Sequence, residues 1–105
     1  MISEDDFHLA IRQRVEPLRG TVRSVSGPGR SGALAAVYAS HLLRVPFIPH
    51  GTRVPETLQP HLVIDTTAMS GRTLRKAARK MGAEHSLSVF TADHRLRFWY
   101  EGEER

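Results

Sequence analysis

Short β-branched runs alternate with helical segments along this chain, and this alternation constrains its fold more than any other feature. Val22 and Val25 lie in a run from Thr21 to Ser26 that predicts a first strand. The segment from Ala33 to Arg44 is rich in Ala and Leu and lacks Pro and Gly, which predicts a helix. Strands that alternate with helices form mostly parallel sheets, with right-handed crossovers that place helices on both faces. We therefore expect an α/β fold.

The same alternation continues on both sides of these two elements. We predict helices over Glu4 to Glu16 and Thr73 to Met81, and strands over Phe47 to Ile48, His61 to Ile64, His85 to Thr91 and Arg95 to Tyr100. Ser3 and Asp6 have the spacing of a capping box, and Gly82 follows the last turn of the third helix. We expect a three-layer domain with a mostly parallel five-stranded sheet in the order 2-1-3-4-5. Strands one and three are then neighbours, and a crevice opens at their carboxyl ends.

Composition bounds the size of the protein and the classes of site it can carry. With 105 residues, of which 40% are hydrophobic, we expect one domain over residues 1–105. The sequence has no apolar run long enough for a bilayer and begins with acidic residues, so we expect a cytoplasmic protein with no membrane partner. The absence of cysteine excludes thiol nucleophiles and thiolate zinc sites. The excess of 15 Lys and Arg over 11 Asp and Glu favours an anionic partner.

The loop from Ser26 to Gly32 joins the first strand to the second helix and concentrates three glycines. Glycines let the backbone approach a ligand closely, and successive amide N–H groups at a helix start attract an anion. Arg30 could add a bidentate contact to a phosphate, and Ser31 could cap the helix or donate a hydrogen bond. An ordinary turn followed by a helix cap is the alternative interpretation.

The loop from Asp65 to Thr73 joins the third strand to the third helix and carries four hydroxyls, one glycine and a carboxylate. Hydroxyls together with helix N-terminal amides form a phosphate-binding cup. Asp65 would repel a phosphate at close range, so we expect it to contact ribose hydroxyls or a hydrated Mg²⁺. The alternative is ordinary N-capping of the third helix by Ser70 or Thr73.

Both loops resemble motifs of one enzyme family. The run from Leu62 to Leu74 resembles the phosphoribosyl pyrophosphate signature of type I phosphoribosyltransferases, in which an apolar strand precedes two acidic residues and a Thr/Ser-Gly-any-Thr sequence. The run from Gly29 to Gly32, with the Ala-rich helix after it, resembles the pyrophosphate loop of that family. Ser31 stands where a second glycine is common. The resemblance covers about residues 20 to 92.

The resemblance implies a type I phosphoribosyltransferase-like core and a role for each loop residue. It assigns the ribose 5′-phosphate to Thr67, Ala68, Met69, Ser70, Gly71, Arg72 and Thr73, and the pyrophosphate to Gly29, Arg30, Ser31 and Gly32. Asp65 is the implied catalytic residue, next to the ribose hydroxyls. The ligand is phosphoribosyl pyrophosphate or a nucleoside 5′-monophosphate with Mg²⁺ that the substrate brings, and Asp65 is the implied protein contact to that ion. The reaction implied is transfer of the phosphoribosyl group to a nitrogenous base.

Three departures from the family pattern point to an alternative. Thr66 replaces the second acidic residue, the loop from His50 to Pro60 is short for a lid that closes over substrate, and no base-binding hood is evident. Trp99 or Tyr100 could stack on a base or simply pack as an edge strand. The alternative function is a non-catalytic module that senses phosphoribosyl pyrophosphate or a nucleotide.

Two further partners follow from the same features. The third helix carries a basic face that could contact a partner or a nucleic-acid backbone, formed by Arg72, Arg75, Lys76, Arg79 and Lys80. No recognised nucleic-acid motif accompanies this face. We also expect a homo-oligomer, because a second copy could supply a wall that this small chain lacks.

Overall fold

The computed structural model describes residues 1–68, 70–92 and 94–101. The helices are α1 (Glu4–Val15), α2 (Gly29–Leu43) and α3 (Arg72–Met81), and the strands are β1 (Ser24–Ser26), β2 (His61–Ala68) and β3 (His85–Thr91). Short 3-10 turns lie at Glu16–Leu18, Glu56–Leu58 and Trp99–Glu101. The predicted alternation of strands and helices is confirmed for these elements.

The sheet is parallel and has three strands in the order β1-β2-β3 within the described residues. Ser24 lies opposite His61, and Leu62 lies opposite His85, so β2 is the central strand. The predicted first, third and fourth strands are therefore neighbours in the predicted order. The prediction of five strands is wrong.

The two missing strands are each reduced to a single bridge. Phe47 pairs with Val25 at one point only, because the prolines at positions 46 and 49 lack the N–H groups that a longer ladder needs. Phe98 pairs with Ile2 near the N-terminus rather than with the sheet, and the chain then turns at Trp99. The alternation of Leu96, Phe98 and Tyr100 reflects packing against α1 and not a fifth strand.

Helices cover both faces of the sheet, as expected for a three-layer α/β fold. On one face α1 and α2 pack on the strands, and three alanines of α2 that are fully buried let it approach β1 and β2 closely: Ala35, Ala36 and Ala39. On the other face α3 packs on β2 and β3 through Ala77 and Met81. Because strand side chains alternate, Leu62 and Ile64 face α2 while Val63 faces α3.

The ends of the elements differ in part from those predicted. The capping box is confirmed, since the Asp6 N–H donates to Ser3 Oγ at 3.1 Å. Gly82 ends α3 with a φ of 63°. However, α2 begins at Gly29, because the φ of 67° at this glycine turns the chain directly from Pro28 into the helix. Residues 30–32 thus lie in the first turn of α2 rather than in a loop before it.

The central strand also runs further than predicted. β2 continues through Ala68, with Asp65 opposite Ser88 and Thr67 opposite Phe90 on β3. The β-branched Thr66 and Thr67 favour this extension. Asp65 is consequently held within the strand, and the second loop is confined to the few residues between Ala68 and Arg72.

A closed polar network lies between β1 and the amino end of β2. The side chains of Ser24, Ser26 and His61 are fully buried. Ser24 Oγ lies 2.6 Å from His61 Nδ1, and Ser26 Oγ lies 2.7 Å from His61 Nε2. Ser24 also donates its proton to the Leu58 carbonyl at 2.6 Å. Its oxygen must therefore accept from Nδ1–H, so Nε2 is the unprotonated nitrogen and accepts from Ser26.

Candidate functional site

A cavity of about 690 Å³ opens at the carboxyl ends of β1 and β2. Its lining comes from the first loop with the start of α2, from β2, from α3 and from the C-terminal segment: Pro28, Gly29, Arg30, Ser31, Leu34, Asp65, Thr73, Arg95, Tyr100 and Glu101. The predicted crevice is thus present, and residues of both predicted loops face it. Volumes of about 300–1,000 Å³ are usual for small-molecule sites.

The first loop is folded tightly on its own glycines. A Cβ on Gly27 would lie 1.9 Å from the carbonyl oxygen of Gly32 and 2.7 Å from that of Ile64. A Cβ on Gly32 would lie 2.8 Å from Pro28 Cδ, so neither position has room for a side chain. Gly32 is buried beneath the loop, whereas Gly29, Arg30 and Ser31 line the cavity. The first turn of α2 thereby presents its N-terminal amides to the cavity.

Asp65 provides a half-buried carboxylate in the wall of the cavity. Its Oδ1 atom accepts one hydrogen bond, from the backbone N–H of Thr66 at 2.8 Å. Burial raises the pKa of this carboxyl, and the Thr66 hydrogen bond only partly opposes that shift. The group is therefore costly to keep charged in the unliganded protein. A hydroxyl donor or a cation in the cavity would offset that cost.

The second loop reaches the same cavity through Thr73. Gly71 has a φ of 78° at the N-cap of α3, and a Cβ there would lie 2.9 Å from Arg75 Nη1. The N-cap of α3 is Gly71, which has no side-chain cap, so neither Ser70 nor Thr73 is the capping residue. Ser70 lies one residue earlier and accepts from the Arg72 N–H at 3.3 Å. Arg75 also reaches back and donates to the Ser70 carbonyl at 3.3 Å.

The other predicted phosphate-site residues occupy different places. Thr67 and Ala68 lie in β2, opposite Phe90 and Thr91 of β3. Ser70 and Arg72 are exposed at the start of α3 and do not line the cavity. Met69 lies outside the described residues. The 5′-phosphate assignment thus stays a prediction for the residues of this loop.

Three cavity residues come from the C-terminal segment: Arg95, Tyr100 and Glu101. Tyr100 was considered as a residue that could stack on a base, whereas Arg95 and Glu101 were not predicted. Tyr100 Oη donates to Ser31 Oγ at 2.7 Å, and burial raises the pKa of this tyrosine. Arg95 forms an ion pair with Glu101. Trp99, which was considered together with Tyr100, packs instead on Phe7 with ring centroids 5.1 Å apart.

A smaller cavity of about 160 Å³ adjoins the first and shares Ser31, Arg95 and Glu101 with it. Its other walls are Thr66, Thr67, Leu96 and Phe98. Thr66 is only 5% exposed, so its side chain lies inside the protein. Position 66, where the family pattern has its second acidic residue, therefore shares a cavity wall with Glu101.

The described part of the chain shows neither a metal-binding cluster nor a membrane-spanning helix. No group of three or more His, Cys, Asp or Glu side chains is placed there to hold a metal ion. None of its helices is both long enough and apolar enough to span a bilayer.

The fold is shared with solved phosphoribosyltransferases. Purine phosphoribosyltransferase from Pyrococcus horikoshii Ot3 aligns with a TM-score of 0.73 and 19% identity, over 100% of this chain and 97% of that protein. Helicobacter pylori xanthine-guanine-hypoxanthine phosphoribosyltransferase aligns with a TM-score of 0.66 and 19% identity, over 94% and 89%. A hypothetical protein from Neisseria gonorrhoeae, solved with bound ppGpp, aligns with a TM-score of 0.65 and 16% identity, over 95% and 87%.

These likenesses define the class of fold. No family model and no curated protein matches the sequence. At identities of 16–19% the structural likeness shows the fold alone. The chain has a type I phosphoribosyltransferase-like fold, as the two loop motifs indicated.

Proposed function

We propose that the chain binds phosphoribosyl pyrophosphate or a nucleoside 5′-monophosphate, with Mg²⁺, in the cavity of about 690 Å³. One observation carries this proposal. Arg30 and Ser31 of the first loop, Asp65 of β2 and Thr73 of α3 all line the same cavity, although they are far apart in the sequence. Anion-binding groups from two separate loops thus line the same cavity as the Asp65 carboxylate.

A phosphorylated ribose fits this arrangement by its charge. In this proposal the 5′-phosphate lies at the start of α3, where Thr73 lines the cavity and offers its hydroxyl beside the N-terminal amides of the helix. Asp65 accepts hydrogen bonds from ribose hydroxyls, which are donors. The segment from Gly29 to Gly32 offers Arg30 and the first amides of α2 to the pyrophosphate. The carboxylate then faces the sugar and is kept apart from both phosphate groups.

Mg²⁺ fits the site as an ion that the ligand brings. It prefers oxygen ligands, keeps several waters and is usually bound by one or two carboxylates together with substrate phosphates. Asp65 is such a carboxylate, and the described residues form no larger ligand group around it. When bound, the ion would neutralise the leaving pyrophosphate. The protein itself holds the sugar and the phosphates in position.

Phosphoribosyl transfer is the reaction that this site would support. The bond from ribose C1 to the pyrophosphate oxygen breaks, a base nitrogen forms the new bond to C1, and positive charge develops on the sugar in between. In this proposal Asp65 stabilises that charge. Tyr100 and Leu34 both line the cavity, and their apolar groups could contact a base. The named activities of the two phosphoribosyltransferase neighbours support a purine as acceptor.

A non-catalytic nucleotide sensor is the second candidate, and the surface of α3 favours it. The five Arg and Lys residues of α3 are exposed, and none of them forms an ion pair with a described acidic residue. A cleft of about 520 Å³ beside them is lined by His50, Lys76, Arg79 and Lys80, together with Pro28 and Thr73 of the main cavity and Ala77. An anionic partner bound there would contact the nucleotide site directly.

Calorimetry and an activity assay separate these two functions. We expect the protein to bind phosphoribosyl pyrophosphate with Mg²⁺ in isothermal titration. A transferase also releases pyrophosphate when a panel of nitrogenous bases is added, whereas a sensor binds and releases none. Absence of binding by either phosphoribosyl pyrophosphate or nucleoside monophosphates would contradict both.

A glycine substitution tests whether the second loop belongs to the site. Gly71→Val places a side chain against Arg75 at the start of α3 and should abolish binding while the fold persists. Gly20→Val is the matched control, because Gly20 also has a positive φ, of 81°, but lies away from the cavity. Unchanged affinity in Gly71→Val would remove this loop from the site.

The expected homo-oligomer is also proposed. Leu9 on α1 and Val37 on α2 are 54% and 37% exposed, and both are apolar. A second copy could cover them. Light scattering coupled to gel filtration would give the mass, and a monomer at all concentrations would contradict the proposal.

A further inference from the structure

The main cavity contains a second carboxylate, which the loop motifs did not indicate. Glu101 lines the large cavity together with Asp65, and it lines the small cavity together with Thr66. It comes from the C-terminal 3-10 turn, whereas Asp65 comes from the central strand. The two carboxylates therefore reach the same space from different parts of the fold.

The structure holds Glu101 in place as an anion. Its Oε1 atom accepts a hydrogen bond from the Phe98 N–H at 2.9 Å, and this bond, followed by Arg95, lowers the pKa of the carboxyl. Glu101 lies at the surface, but its side chain is only 22% exposed and is held by two partners, the Phe98 N–H and Arg95. Fixed, ionised carboxylates in a ligand cavity are strong hydrogen-bond acceptors.

A ligand group could displace Arg95 from its ion pair with Glu101. Its side chain is 70% exposed, and ion pairs with one exposed member contribute little free energy. Arg95 lines both cavities as well. A ligand phosphate could therefore attract Arg95 and leave an oxygen of Glu101 open to another donor.

The chemistry of Glu101 limits what it can contact. Each carboxylate oxygen has two acceptor positions, and the Phe98 N–H and Arg95 together use one on each oxygen. The remaining positions need donors, and a phosphate at this place would be repelled. The hydroxyls of a sugar are donors without charge. Thr66, on the wall of the small cavity, cannot supply the negative charge that a second carboxylate supplies.

We propose that Glu101 is a substrate-binding residue that accepts hydrogen bonds from the ribose hydroxyls, so that Asp65 and Glu101 together hold the sugar. This inference rests on the proposed function and adds a residue to the same site. It also explains how the chain can have Thr at position 66 and still present two carboxylates to one ligand.

The test compares two sugar phosphates that differ in one hydroxyl. Titrations of ribose 5-phosphate and 2-deoxyribose 5-phosphate are run with the wild type and with Glu101→Gln. We expect Glu101→Gln to weaken ribose 5-phosphate about fivefold, since a bond to a charged acceptor becomes a bond to a neutral one. The affinity for 2-deoxyribose 5-phosphate should change less, and that for inorganic phosphate should not fall.

Two controls separate the contact from a general effect. Glu56→Gln makes the same chemical change on an exposed 3-10 turn outside both cavities and should leave all affinities unchanged. Glu101→Asp should restore part of the preference for ribose. Wild-type binding of ribose 5-phosphate with no change in Glu101→Gln would overturn this inference and leave the proposed function standing. Equal losses for all three ligands would also overturn it. Failure of the wild type to bind ribose 5-phosphate would overturn this inference, and failure to bind phosphoribosyl pyrophosphate and nucleoside monophosphates as well would overturn the proposed function.

Discussion

The two ends of β2 bury polar side chains in opposite ways. His61 at the amino end and Asp65 near the carboxyl end point to the same face of the sheet. Both ring nitrogens of His61 have hydroxyl partners, and its backbone N–H donates to Glu84 at 2.8 Å. Asp65 accepts one hydrogen bond from the described residues and opens into a cavity. We call the amino end, where the hydrogen bonding of His61 is complete, the closed end of β2. The end at Asp65, where hydrogen bonding is incomplete and the proposed ligand site lies, is the open end.

The largest expected effect is on stability at the closed end. His61→Ala leaves the hydroxyls of Ser24 and Ser26 buried with a lost partner and creates a cavity, and we expect it to lower the free energy of unfolding by about 3 kcal/mol. Urea unfolding measures this. Asp65→Ala removes a comparable side chain at the open end and should cost under about 1 kcal/mol by the same measurement. Equal losses at the two positions would erase the distinction between the ends.

The next effect is on binding at the open end. Asp65→Asn should weaken ribose 5-phosphate about tenfold, because charge-assisted bonds to the sugar hydroxyls are lost, while inorganic phosphate binds as before. Its free energy of unfolding at neutral pH should not decrease, since burial already disfavours the charged form of Asp65. Titration calorimetry checks the first expectation. Equal losses for phosphate and for the sugar phosphate would exclude the assigned role.

The closed end should also make stability depend on pH. Burial lowers the pKa of His61, so the folded protein prefers the neutral ring. The contribution of the neutral His61 ring to the free energy of unfolding is fully present above the unfolded-state pKa of about 6.5. This contribution is lost as pH falls through the folded-state pKa, at no more than about 1.4 kcal/mol per pH unit. Asp65 has a raised pKa and acts in the opposite direction on acidification, so urea unfolding is best followed in Asp65→Asn. A flat profile between pH 7.5 and pH 5 would show that His61 titrates normally.

The smallest expected effect concerns the wall of the cavity. Tyr100→Phe removes the hydrogen bond to Ser31 and should lower the free energy of unfolding by about 1 kcal/mol. Tyr38→Phe is a matched control, because Tyr38 donates to Glu4 at 2.6 Å at the exposed surface and should cost less. Thermal or urea unfolding compares the two. A larger loss from Tyr38→Phe would mean that the Tyr100 contact does not hold the C-terminal segment against the first loop.

The parts of the fold that depend on local sequence were predictable. Neighbouring residues determine the capping box at Ser3, the helical segment of α2 and the glycine that ends α3. The start of α2 was placed too late, because a glycine with positive φ was interpreted as loop rather than as the first helical residue. The prediction of a fifth strand was wrong because Phe98 pairs with Ile2, which joins two parts of the described chain that are far apart in the sequence.

The residues of the candidate site likewise fall into those that local sequence predicts and those that it does not. Both loops were found from glycines, hydroxyls and Asp65, since these features are contiguous in the sequence. Arg95 and Glu101 had no local signal. Their entry into the cavity depends on the aromatic packing of the C-terminal segment on α1, and the contact between Ser31 and Tyr100 spans 69 positions of the chain. Long-range packing of this kind is not encoded in any short pattern.

A crystal soaked with a nucleoside 5′-monophosphate and Mg²⁺ gives the most direct measurement of where the ligand lies. We expect difference density in the large cavity, with the phosphate at the start of α3 and the ribose hydroxyls within hydrogen-bond distance of Asp65. Density for the nucleotide elsewhere on the surface, or a phosphate seated against Asp65, would contradict the central claim that this open end of β2 is the sugar-binding site.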